Sequence, residues 1–165
     1  MATRDDEFEQ FFLANYKPVL RVLTFITGDR ERAVDATQEA FIKAHGRWSK
    51  IRQYDSPAAW VRRVAINASR DSAKSDRRRR QREQAQPVAG ELAHTDQHSS
   101  DDAVLALLGE LSQRQREVAT LFYVHDLSVA ETAAILGLSE GTVKSHLASA
   151  RERLRELLEH GQARA

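Results

Sequence analysis

Two groups of side chains in this sequence have the types and spacing to grip nucleic acid. The first runs from Ser128 to Leu154. Val129 to Leu136 forms a short helix, Gly137-Leu138-Ser139 a tight turn, and a longer helix follows. A helix-turn-helix of this kind lays its second helix in a major groove. Val143, Leu147, Ala150 and Leu154 share one stripe at helical spacing and are expected to face a core. Ser145, Ala148, Ser149 and Glu152 lie on or near the opposite side, flanked by Lys144, Arg151 and Arg155. Small and polar side chains there let a helix approach base edges, and Thr142 and Lys144 sit near the positive end of the helix dipole, where phosphates bind. His146 is read as a flanking or phosphate contact, not a metal ligand, because no second ligand lies at metal spacing. A plain helical hairpin with a solvated face would show the same pattern.

The second group is a basic block. The formal net charge of the chain is only +1, but residues 49–84 hold eleven basic and four acidic side chains, whereas residues 85–110 hold five acidic and no basic ones. Such segregation marks one polyanion-facing surface. Arg63, Arg70 and Lys74 fall opposite the apolar stripe Trp60, Val61, Val64, Ala65 and Ala68, with Asn67 at its edge. Cations in line on one helix suit a run of phosphates. Arg77 to Arg80 and Arg82 follow, either as further phosphate contacts or as a solubilising helix end. Just before the helix, Trp48 to Asp55 mixes Lys50 and Arg52 with Trp48 and Tyr54, a combination that can hold an unstacked base. Trp60 is read as core. Trp48 is left open between core packing and base contact.

No catalytic arrangement appears. The chain has no Gly-rich phosphate loop, no nucleophile elbow and no HExxH. Asp5-Asp6 and Asp101-Asp102 are read as helix-start charges, not paired catalytic carboxylates. The absence of Cys excludes disulfides, thiolate zinc sites and cysteine nucleophiles, and fits a reducing cytosol. No apolar run approaches the roughly 20 residues that span a bilayer, and Met1 to Gln10 is too polar for a signal peptide. No enzyme activity, cofactor, metal, small-molecule substrate or membrane insertion is expected, and the location is expected to be cytoplasmic.

The elements that must position these residues are helices. With 7 Gly and 3 Pro in 165 residues, long stretches run without a breaker. The expected fold is all-α, in two small helical domains at 5–82 and 102–161. Residues 83–101, rich in Pro, Gly, Ser and acids, form the flexible linker between them. In the first domain Pro18 is expected to break or kink the opening helix, or to start a second one. Gly28 ends that segment, Asp29 caps the next, and Ser56-Pro57 opens the basic helix. In the second, Ser112 to Gln115 and Ser128 to Glu131 match a capping box, Gly137 closes one helix and Ser139 caps the last.

Asp35 to Ala44 (DATQEAFIKA) resembles the region 2.2 signature of extracytoplasmic-function sigma factors of the sigma-70 family. Pro57 to Asn67 (PAAWVRRVAIN) resembles their region 2.3–2.4 helix. Leu111 to Val118, with Gly141 to Ser145 (GTVKS), resembles region 4. The resemblance implies a region 2 bundle and a region 4 helix-turn-helix. It also implies that Asp35, Gln38, Glu39 and Ile42, at i, i+3, i+4 and i+7 on one helix face, dock on the β′ clamp helices of core RNA polymerase. Its further implication is contact with the polymerase β′ and β subunits, with promoter DNA and with an anti-sigma factor. The −10 element would meet Trp48, Lys50, Arg52, Tyr54, Arg63, Asn67, Arg70 and Lys74. The −35 element would meet Thr142, Lys144, Ser145, His146, Ala148, Ser149 and Arg151. The competing class is a LuxR-like helix-turn-helix regulator that acts without being a polymerase subunit.

Overall fold

The computed structural model describes residues 1–83 and 99–163. Among these residues the regular structure is entirely helical. The chain divides into two compact units, Met1–Ala93 and His94–Ala165. The division falls inside the stretch expected as a linker, most of which lies outside the described residues.

The first unit holds α1 (Arg4–Thr27), α2 (Arg30–Gly46), the single turn α3 (Trp48–Ile51) and α4 (Pro57–Glu83). Its core is organised by α2, whose buried positions are Ala33, Ala36, Thr37, Ala40, Phe41 and Ala44. Small residues at i, i+3, i+4 and i+7 let neighbouring helix backbones come close. The neighbours supply the bulk: Val19, Val22, Leu23 and Ile26 from α1, and Val61, Ala65 and Ile66 from α4. The one polar group in the ridge, the Thr37 hydroxyl, donates to the Ala33 carbonyl at 2.6 Å and so is buried without loss.

Local chemistry sets the ends of these helices. Thr3 and Asp6 form a capping box at the start of α1. The bonds to Thr3 favour the carboxylate and hold Asp6 below its ordinary range. Gly28 ends α1 at φ 67, a left-handed conformation that costs glycine nothing. The Asp29 carboxylate accepts from the Arg32 amide, and the Ser56 hydroxyl from the Ala59 amide, at the starts of α2 and α4. Arg32 then pairs with Asp76 at 2.7 Å, tying the start of α2 to the far part of α4. The arginine run beyond Asp76 is helical and exposed.

Pro18 overturns two of the three outcomes the sequence left open. It neither breaks α1 nor opens a second helix; α1 is continuous for 24 residues with Pro18 inside it. A proline in a helix interior costs about 3 kcal/mol. The residues that follow it, Val19, Val22, Leu23, Phe25 and Ile26, are all buried, and burying a large apolar side chain contributes about 1.5–3 kcal/mol. Packing therefore outweighs the lost bond.

The second unit holds α5 (Ser99–Gly109), α6 (Gln113–Ala119), a π-helical turn (Thr120–Val124), α7 (Val129–Leu136) and α8 (Glu140–Gln162). Capping boxes at Ser112 and Ser128 start α6 and α7, and Ser139 caps α8. The half-buried Arg116 donates to the Leu108 and Gly109 carbonyls at 2.9 and 3.0 Å, capping the end of α5. Burial lowers the pKa of this guanidinium. The buried Glu117 carboxylate accepts from Gln113 and from Arg114. In the π turn the His125 amide donates to the Thr120 carbonyl at 3.1 Å. This wider turn buries Leu121, turns Tyr123 outward and leads to Asp126 at φ 52.

Replacing Pro18 by Ala restores a helix donor and is expected to stabilise the first unit by about 1–3 kcal/mol. Chemical denaturation of the full chain checks this; a loss of stability would show that the proline ring itself is a packing element.

Candidate nucleic-acid and partner interfaces

With the alanine ridge of α2 buried, the opposite face of the same helix is forced outward. Asp35, Gln38, Glu39 and Ile42 are all exposed, and Ile42 is 72% exposed. An isoleucine this bare, among groups that can make charged and amide hydrogen bonds, suits a reversible protein contact. Glu39 already pairs with Lys43 at 2.7 Å along the helix.

The turn after α2 builds a concavity of about 360 Å³. It lies between Arg4 on α1, Gly46 and Arg47 at the end of α2, Ser49 and Lys50 in the α3 turn, Tyr54 just beyond that turn, and Trp60 on α4. Two aromatic rings and three cations around an open hollow are what an unpaired nucleotide requires: a stacking face and charge for its phosphate. Of the expected −10 residues, Lys50 and Tyr54 line it. Arg52 lies outside the lining and is engaged with Glu7, Nη1 to Oε2 at 2.6 Å.

The structure places Trp48, left open by the sequence, in the core, and Trp60, expected there, at its margin. Trp48, which the resemblance names among the −10 contacts, is 5% exposed. Its ring lies 4.8 Å from Phe11 and 5.4 Å from Phe8, within a cluster that continues through Phe12, Tyr16 and Phe41. Aromatic pairs of this kind contribute about 0.5–1.5 kcal/mol each beyond simple burial. Trp48 is core and offers no face for stacking. Trp60, expected in the core, is half-buried and borders the concavity. The buried stripe of α4 is Val61, Ala65, Ile66 and Ser69, which moves Trp60, Val64 and Ala68 to its margin. Along the same helix Arg63, Asn67 and Lys74 are exposed and Arg70 half-exposed, with Arg70 donating to Asn67 at 3.3 Å.

In the second unit Val143, Leu147 and Ala150 of α8 are buried, and Leu154 half-buried. Thr142, Lys144, Ser145, Ala148, Ser149 and Arg151 are exposed, and His146 is half-buried. The Ser139 hydroxyl receives the Thr142 amide at 3.1 Å and lies 2.8 Å from the Thr142 hydroxyl. The first turn of α8 is thereby fixed with its exposed face intact. Sequence reasoning missed a second hollow farther along α8. It measures about 430 Å³ and is bordered by Tyr123, Arg151, Leu154, Arg155, Leu158, Glu159 and Gln162. Leu158 is 55% exposed there. The signal was the surplus of apolar residues on α8 beyond the core stripe; the outward turn of Tyr123 had none.

A model of sigma-70 region 2 matches residues 11–81, and one of sigma-70 region 4 matches residues 101–154. The RNA polymerase sigma-E factor of Streptomyces avermitilis is 34% identical over 153 residues, covering 93% of this chain and 86% of that protein. The ECF RNA polymerase sigma factor SigM of Mycobacterium tuberculosis is 32% identical over 158 residues, covering 92% and 76%. Among solved structures, the sigma factor RpoE from Bartonella quintana, in complex with the anti-sigma factor NepR, is 26% identical. It superposes with a TM-score of 0.78 over 93% of this chain and 97% of that one. Among the described residues no helix is long and apolar enough to cross a membrane.

The chain has two tryptophans, so each can be isolated. In Trp48→Phe the remaining Trp60 is expected to be quenched by acrylamide several-fold more readily than Trp48 in Trp60→Phe. Equal quenching would refute this placement of the two rings.

Proposed function

The chain belongs to the sigma-70 family of RNA polymerase sigma factors, in its extracytoplasmic-function branch, and from that premise we propose how its surfaces divide the work. The exposed face of α2, Asp35, Gln38, Glu39 and Ile42, docks on the β′ subunit of core polymerase. The hollow beside Tyr54 and Lys50 takes an unstacked base of the −10 element, and Arg63, Asn67, Arg70 and Lys74 track the adjoining backbone. The exposed side of α8, Thr142, Lys144, Ser145, Ala148, Ser149 and Arg151, reads the −35 element, with His146 at its edge. The single observation carrying this reading is that matches to regions 2 and 4 occur in order and between them include every residue named for these contacts.

Base capture offsets part of the unstacking cost, a few kcal/mol, and so favours the melted strand. Ala148 and Ser149 are too small for many base contacts, so phosphate contacts and groove shape carry much of the −35 term. The β subunit and an anti-sigma factor are further proposed partners; the Bartonella quintana relative was solved with one of the latter. The chain supplies DNA recognition and no catalytic group, needs no cofactor, and works in the cytoplasm. A LuxR-like regulator is not favoured, because the part it would use as an effector domain matches region 2.

Run-off transcription with purified core polymerase tests the reading. Lys144→Ala is expected to lower −35-dependent initiation by about 1 kcal/mol, roughly fivefold, with core affinity unchanged. Asp35→Ala combined with Gln38→Ala is expected to weaken core binding about tenfold, with unaltered stability, by titration of labelled chain against core. Unchanged core affinity in the double variant would remove the α2 face from the interface.

A further inference from the structure

The hollow on the first unit has a wall that the region 2 match does not include. That match begins at residue 11, yet Arg4, in the first turn of α1, lines the hollow. This turn is locked down. Thr3 and Asp6 cap it reciprocally. The Glu7 carboxylate receives Arg52 at 2.6 Å across 45 residues of sequence. The Phe8 ring meets His45 edge-on at 4.9 Å and Trp48 at 5.4 Å. Arg4 itself donates Nη2 to the His45 carbonyl at 3.0 Å, a second donor to a carbonyl at the C-terminal end of α2 that also receives the Arg47 amide.

A guanidinium has several further N–H donors. The bond to His45 accounts for the hydrogen bonding of Arg4 among the described residues, and no carboxylate pairs with it there. Arg4 therefore presents a positioned cation at the rim of a hollow whose other walls include the Trp60 and Tyr54 rings and Lys50. Planar fork geometry of this kind suits a phosphate.

We propose that Arg4 is a binding residue of the base-capture site, holding a phosphate of the captured nucleotide while its ring lies against the aromatic wall. Glu7 is a positioning residue: by engaging Arg52 it fixes the first turn of α1 against the α3 turn. The proposal rests on the assignment of this hollow to the −10 element and extends it to a stretch of chain outside the region 2 match.

The test uses the full chain on core polymerase. The probe is the strand that wild-type holoenzyme enriches from a randomised single-stranded DNA library, followed by fluorescence anisotropy. Arg4→Gln keeps an amide donor for the His45 carbonyl and removes the charge. It is expected to weaken probe binding five- to twentyfold and to lower the slope of log affinity against log salt by about 0.7, one single-strand phosphate. Core affinity and melting temperature should stay unchanged. Arg4→Lys should recover part of the affinity and most of the slope. If Lys50→Ala or Tyr54→Ala weakens binding while Arg4→Gln does not, Arg4 is only a cap and this proposal fails alone. If none of the three changes binding, the hollow is not the capture site and the underlying assignment fails with it. If Arg4→Gln lowers the affinity but Arg4→Lys restores nothing, the charge is not the agent and the proposal is overturned.

Discussion

A helix buried along a narrow ridge must expose the side opposite, and α2 uses this constraint to connect fold with function. Ala33, Ala36, Ala40 and Ala44 are small enough for α1 and α4 to close on it, and they contribute little bulk of their own. The same packing leaves Asp35, Gln38, Glu39 and Ile42 in solvent without further support. Enlarging a ridge alanine would force the helices apart, at about 1–3 kcal/mol. It would also rotate or shift the face presented to a partner. Stability and presentation of that face are one property of one helix.

The same logic explains why the aromatic cluster lies where it does. α2 offers no large side chain except Phe41 at its ridge, so the gap between its C-terminal half and α1 is filled from elsewhere. Phe8, Phe11, Phe12 and Tyr16 come from α1, and Trp48 from the turn beyond α2. With Trp48 anchored inward, the α3 turn is seated against α1, and Lys50 within it and Tyr54 beyond it border the hollow. A ring that the sequence leaves open as a nucleotide contact instead seats the loop that borders the hollow.

Much of this was legible in the sequence because it is local. The caps at Asp29, Ser56, Ser112, Ser128 and Ser139, and the left-handed glycines at 28 and 137, need only a few neighbouring residues to declare themselves. The features that were not legible depend on distant partners. Pro18 is tolerated because α2 and α4 bury the residues after it, a gain that a count of lost helix bonds omits. Periodicity places Trp60 and Val61 on one broad stripe of α4 but cannot say which edge the bundle covers. Arg52 reads as a free cation until Glu7 arrives from 45 residues away. The π turn at Thr120–Val124 leaves no compositional mark, and with it the outward turn of Tyr123 stays hidden.

The two surfaces proposed to face DNA share a further property: neither is built for strong binding by itself. The exposed side of α8 offers one lysine and one arginine among Thr142, Ser145, Ala148 and Ser149, a smooth contact with few groups to reward a matching base pair. The hollow of the first unit is small and open, and Arg52, outside its lining, is paired with Glu7. Weak contacts gain discrimination only when they are made together. Joining two sites converts the second binding step into an intramolecular one, with an effective concentration of about millimolar for a short tether. A sigma factor on its polymerase satisfies that condition only where both elements stand at the right spacing. Weakness at each surface is then a selective advantage, because a promoter lacking either element forfeits the whole linked gain.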